Sequence, residues 1–213
     1  MNKKLDKIFF LVGCLMILSE IWKQYCLTFI INDGSYDWWY FPFQLCSIPM
    51  YLLMCLPLLH KTRTRSLIYT FLMDYVLLCG VFVFFDTSGM FYDYLPLTIH
   101  SFVWHFLLIG LGIAAGFSDH ADYSYRGFLK SSLIYVCGCI IAAGLNYLLH
   151  DYGKINMFYI SPYYYIAQPV FRTIRDLFGN QAAILCYIAA VFSGALFLHV
   201  IWRFVYRKSP FSK

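Results

Sequence analysis

A thiol, two imidazoles and two carboxylates stand out in a chain that is otherwise apolar: Cys46, His100, His105, Glu20 and Asp74. A thiol is a weak nucleophile at its free pKa and becomes a strong one when an imidazole takes or balances its proton. A carboxylate can orient that imidazole, so these residue types are the parts of a nucleophilic site. Cys46 lies in the run Phe41-Pro42-Phe43-Gln44-Leu45-Cys46-Ser47-Ile48-Pro49, where an amide, a thiol and two prolines interrupt apolar sequence. Polar groups and helix breakers at membrane depth are costly and have protein partners or work to do. Gln44 and Ser47, one turn or less from the thiol, are placed to donate to a developing oxyanion. His105 and His100 are alternative bases, because five residues along a helix turn the second ring ~140° from the first. The plainer reading is that Cys46 packs as a small hydrophobe and that Glu20 and Lys23 neutralise one another at i,i+3.

Such residues need elements to hold them, and composition says which. Hydrophobic residues make up 61% of the 213 and charged residues 13%, against an apolar share of about 45–50% in soluble domains. The charges cluster between long apolar runs of about the ~20 residues that a helix needs to cross a bilayer. The expectation is an all-α polytopic membrane protein, one transmembrane domain over 1–213. Its six-helix bundle has spans at about 8–30, 39–59, 67–85, 95–117, 127–149 and 182–206. Lys3, Lys4 and Lys7, then Lys61, Arg63 and Arg65, then Arg126 and Lys130, then Arg203, Arg207, Lys208 and Lys213 occupy alternate connections. The first connection (Asp33, Asp37) and the third (Asp86, Asp93) carry only acids and read as external. Since Lys and Arg in short loops stay inside, both termini are expected in the cytoplasm and the protein in the cell membrane as a multi-pass chain. The net charge of +5 is then a topology signal and not a nucleic-acid surface.

Measured by helical rise from the external ends of their spans, Cys46 lies ~10 Å deep, His100 ~8 Å, and Glu20, Asp74 and His105 ~15 Å each. Four helices would thus bring a thiol, an imidazole and two carboxylates to the outer half of one bundle. The stretch 150–180, rich in Tyr and Pro, is expected to lie across the external mouth as an interfacial segment, either a lid or a surface anchor. All eight cysteines fall in the apolar runs, so no disulfide framework is expected. Cys137-Gly138-Cys139 reads as small residues for close packing, not as a metal site. With no glycine-rich phosphate loop and no His-x-x-x-His pair, neither a cofactor nor a metal is expected.

Several of these runs carry a resemblance. The Ser19-Glu20-Ile21 region, Pro42-Phe43-Gln44-Leu45-Cys46, Phe85-Asp86, His100-Ser101-Phe102-Val103-Trp104-His105 and Asn156-Met157-Phe158-Tyr159 resemble the YwaF-type family of bacterial six-span membrane proteins over most of the chain. That family is similar to a eukaryotic cysteine-dependent acyltransferase of ether phospholipids and, more remotely, to androgen-induced threonine hydrolases of fatty-acid esters. The resemblance implies a nucleophile at Cys46, a base best matched by His105, and membrane lipids, with a phospholipid or acyl substrate, as partners. Phe43-Gln44 departs from the usual Leu-His or Leu-Gln, and the second histidine, His100, leaves the base open. The rival expectations are a small proton-coupled transporter or solute-binding bundle, with Glu20, Asp74 and His105 as its relay, and a non-catalytic membrane scaffold.

Overall fold

Every regular element among the described residues is a helix. The structure is a computed structural model and describes residues 3–208, so Lys213, one of the basic residues used for orientation, lies outside them. Among the described residues, four helices are long and apolar enough to cross a membrane: Thr62–Phe85, Leu95–Gly116, Tyr125–Leu149 and Asn180–Tyr206. The first helix, α1 (Lys3–Tyr25), continues through a π turn over Cys26–Ile31. It bears Asp6, Lys7, Glu20 and Lys23 along the way.

At the centre stands a broken helix, α3 (Thr62–Phe71), a π turn (Leu72–Val76) and α4 (Leu77–Phe82). Every residue of 69–76 is 0% exposed, so this segment is surrounded on all sides. That burial fits a segment with no polar stripe, whose polar members Thr70 and Asp74 are buried with the rest. Around it pack α5 (Leu95–Gly116), α6 (Tyr125–Leu149) and α8 (Asn180–Lys208), while α1 meets it at one end through Phe9 and Asp6 on Tyr69. For most of its contact α1 packs on residues 48–58, closely enough that a Cβ at Gly13 would meet that of Leu53 at 2.7 Å.

The connections gather at two ends. At one, Arg65 donates to Asp6 at 2.7 Å, Tyr69 donates to the same carboxylate, and Tyr123 stacks on Tyr206. This end therefore joins the start of α1, the start of α3, the 117–124 loop and the end of α8. The acidic loops lie at the other. There the Ser88 hydroxyl and N–H hold the Asp86 carboxyl below its usual range.

Two expectations are corrected. The run 39–59 is not one continuous helix: after a short 3-10 turn at Trp38–Tyr40, residues 41–47 are non-helical and α2 spans only Ile48–Cys55, extended by a 3-10 turn at Leu56–Leu58. Prolines account for this. Pro49 is tolerated in the first turn of α2, where its missing N–H has no partner to lose, whereas Pro42 further back blocks helix. Nor is 150–180 wholly interfacial. Ile155 and Met157 are 0% exposed, Asn156 and Phe158 3%, so this part of the chain re-enters the bundle. Only α7 (Pro169–Phe178) keeps the interfacial pattern. Val170, Leu177 and Phe178 are exposed apolar residues on one face, and Arg172, Arg175 and Asp176 lie on the other.

Candidate active site

Cys46 sits on the turn that precedes α2, half-buried, with Ser47 as the N-cap residue beside it. Irregular backbone inside an apolar bundle is stable only where its polar groups find partners. Here the partners come from far along the chain. Trp104 of α5 donates its indole N–H to the Cys46 carbonyl at 3.1 Å. Gln44 donates to the Asn156 carbonyl at 2.9 Å and accepts from the Phe158 N–H at 2.8 Å. The turn carrying the thiol and the re-entrant segment therefore hold one another in place.

From its other side the re-entrant segment is clamped by Asn146 of α6, which donates to the Met157 carbonyl at 3.0 Å and accepts its N–H at 2.7 Å. Asn156 accepts from Ser161 N–H within the loop. Phe158 and Tyr159 both adopt left-handed backbone, φ 56° and 57°, which costs on the order of 1–3 kcal/mol per non-glycine residue. The clamps offset that cost. Gly138 supplies the space, since a Cβ there would lie 2.9 Å from the Phe158 ring. That is the packing role expected of Cys137-Gly138-Cys139.

His105 donates from Nδ1 to the Ser101 carbonyl at 2.8 Å. A carbonyl only accepts, so Nδ1 carries the proton and Nε2 of the neutral ring is left as a lone-pair acceptor, the form a general base requires. His100 points elsewhere: its Nε2 lies 2.7 Å from the Ser19 hydroxyl of α1. No hydrogen bond joins either ring to the Cys46 thiol. Tyr159 of the re-entrant segment meets Tyr187 of α8 edge to face, with ring centroids 6.2 Å apart.

The supporting residues divide. Glu20, 5% exposed, accepts from Lys23 at 2.8 Å and from Gln24 at 2.7 Å, so the i,i+3 neutralisation is made. Gln44 is near the thiol in sequence, but its amide is committed to the loop. Asp74 meets neither histidine of α5. Its Oδ2 accepts from His199 Nδ1 of α8 at 2.9 Å, both residues 0% exposed. His199 escaped sequence reasoning, for a single His inside a long apolar run gives no sign of its partner. Ser19, Tyr159 and Tyr187 also escaped as individuals, although Ser19 and Tyr159 stand in the runs that carry the resemblance. Among the described residues, no three His, Cys, Asp or Glu side chains gather as a metal site would need.

No family model, curated protein or solved structure matches this chain.

Proposed function

We propose that this chain is a six-pass protein of the cell membrane, with both ends in the cytoplasm, that transfers or hydrolyses lipid acyl groups through a thioester on Cys46. What supports this most is the turn itself. The chain gives up helix over 41–47 and uses hydrogen bonds from α5 and the re-entrant segment to hold a half-buried thiol beside α2. In the reaction, Sγ attacks the ester carbonyl carbon while its proton passes to His105 Nε2. The ring returns that proton to the leaving alcohol oxygen, and the thioester is then opened by water or an acceptor alcohol. His105 serves as base on the strength of its fixed tautomer.

Labelling tests the proposal. An alkynyl acyl thioester, added to membranes holding the intact chain, should acylate Cys46 in preference to Cys55 at the end of α2. Labelling should vanish in Cys46→Ala and fall ~100-fold or more in His105→Ala. Equal labelling of Cys46 and Cys55 defeats the reading.

Topology is tested separately. Reporters fused after Arg65 and after Lys213 should report the cytoplasm, and reporters near Gly34 and Gly89 the exterior. An opposite result at either acidic loop reverses the orientation.

A second reading rests on the Asp74–His199 pair. Two of its buried atoms, Asp74 Oδ1 and His199 Nε2, have no hydrogen-bond partner. Intramembrane ionisable pairs of this kind serve proton relays in transporters. Asp74→Asn would stop proton movement in such a protein and leave acylation of Cys46 unchanged.

A further inference from the structure

Away from the Cys46 turn, a hydroxyl in the bundle is hydrogen-bonded to an imidazole. Ser19 Oγ of α1 lies 2.7 Å from His100 Nε2 of α5, in the bulk of two helices and not at a loop. The ring is held between indoles, with centroids 5.5 Å from Trp22 and 5.6 Å from Trp104, so it has little freedom to turn away.

Beside this pair the two helices part. A cleft of about 140 Å³ opens there, with apolar walls from Leu15, Met16, Val103 and Leu107 and with Ser19 and His100 on its lining. Leu15 is 64% and Val103 59% exposed, which puts the mouth on the outer surface of the bundle, where lipid chains lie. A cavity of ~150 Å³ holds a molecule the size of benzene, so this one has room for several methylenes. An interhelical hydrogen bond that served packing alone would need no such void, because helix interfaces otherwise fill to crystal-like density.

Lys23 lies one turn from Ser19 on the same face of α1, but its ammonium is paired with Glu20 at 2.8 Å and stands outside the cleft lining.

We propose that Ser19 and His100 form a second nucleophile–base pair that cleaves acyl esters presented from the surrounding lipid, independently of Cys46. Ser19 Oγ attacks the ester carbonyl carbon as its proton passes to His100 Nε2. The ring then protonates the departing alcohol oxygen, leaving an acyl-serine. Water, giving its proton to the same nitrogen, opens the acyl-serine to a fatty acid and restores the hydroxyl. The acyl chain occupies the cleft.

An alkyl fluorophosphonate carrying an alkyne tests this in membranes with the full-length chain, because it reacts with activated hydroxyls by loss of fluoride. Mass spectrometry should find the adduct on Ser19. The adduct should be absent in Ser19→Ala, reduced ~100-fold or more in His100→Gln, reduced in Val103→Trp, which fills the cleft mouth, and unchanged in Cys46→Ala. The last variant keeps this outcome separate from the fate of the thioester reading. Detergent melting of each variant checks folding. If His100→Gln does not fold, Ser19→Cys replaces it, and its new thiol should react with an alkyl iodoacetamide faster than Cys55. No adduct on Ser19 in the folded wild type, an adduct indifferent to His100→Gln, or a Ser19→Cys thiol no faster than Cys55 makes the hydrogen bond a packing contact and overturns the proposal.

Discussion

Asp74→Ala should lower the stability of the bundle by about 3–5 kcal/mol, the cost of leaving one member of a buried pair without its partner. Asp74 and His199 are each 0% exposed and joined at 2.9 Å. Phe128 covers the imidazole at a ring distance of 5.3 Å, which leaves a stranded ring no route to water. In a chain of this size that loss amounts to a fall of about 6–20 °C in melting temperature in detergent. Asp74→Asn should cost far less, since its amide oxygen still accepts from Nδ1–H. The double variant Asp74→Leu, His199→Leu should recover most of the loss, because exchanging a whole buried pair for apolar residues is often neutral or stabilising. A change below ~1 kcal/mol in Asp74→Ala would mean that the pair is solvated and contributes as little as a surface ion pair does.

The π turn beneath this pair bears on why the site is where it is. An extra residue in the helix over Leu72–Val76 rotates Asp74 relative to a regular α-helix, and such bulges often accompany function. Tyr75, next in sequence, donates to Ser132 of α6 at 2.8 Å, so successive residues of the turn reach two different neighbours, α8 through Asp74 and α6 through Tyr75.

Hydropathy made the all-helical class and the four long apolar helices legible, because both follow from composition over ~20-residue windows. Its limit shows at 41–58, where the residues are as apolar as those of a span yet α2 is short. Pro42 and Pro49 were visible, but not the fact that Trp104 would satisfy the Cys46 carbonyl or that the Gln44 side chain would tie the turn to the Asn156 carbonyl. Those bonds join residues 112 and 58 positions apart, beyond the reach of any local pattern. Helical depth was the wrong ruler for Cys46 for the same reason, as rise per residue means nothing in a non-helical turn. At Glu20 the local rule sufficed: an i,i+3 pair on one helix needs no tertiary information, and the ion pair with Lys23 is formed. Asp74 is the reverse case. Its cost at depth announced a partner, but four other intramembrane candidates obscured which one, and the histidine 125 residues away was the one that paired.

Asn146→Leu should release the re-entrant segment and cost about 2–5 kcal/mol. Leucine matches asparagine in heavy-atom number and branching but its methyl groups are bulkier, so an overpacking cost adds to the larger loss from polar groups. Both the N–H and the carbonyl of Met157 would be left unpaired in a place where Asn146 and Met157 are 0% exposed, and an unsatisfied buried group costs about 1–3 kcal/mol. The strained backbone at Phe158 and Tyr159 then loses one of the two clamps that maintain it, leaving Gln44 alone. Hydrogen exchange should therefore rise at 155–161 before the helices open, and limited proteolysis should cut there first. Because Gln44 stands two residues from Cys46, movement of the segment should also alter the rate at which the thiol is acylated, though Asn146 lies on another helix and donates only to Met157. In Asn146→Asp the neutral acid that so dry a site favours still accepts from Met157 N–H and offers a single O–H to its carbonyl, so its loss should fall between wild type and leucine. Melting within ~0.5 kcal/mol of wild type for Asn146→Leu, with unchanged exchange at 155–161, would show that Gln44 and packing alone hold the segment.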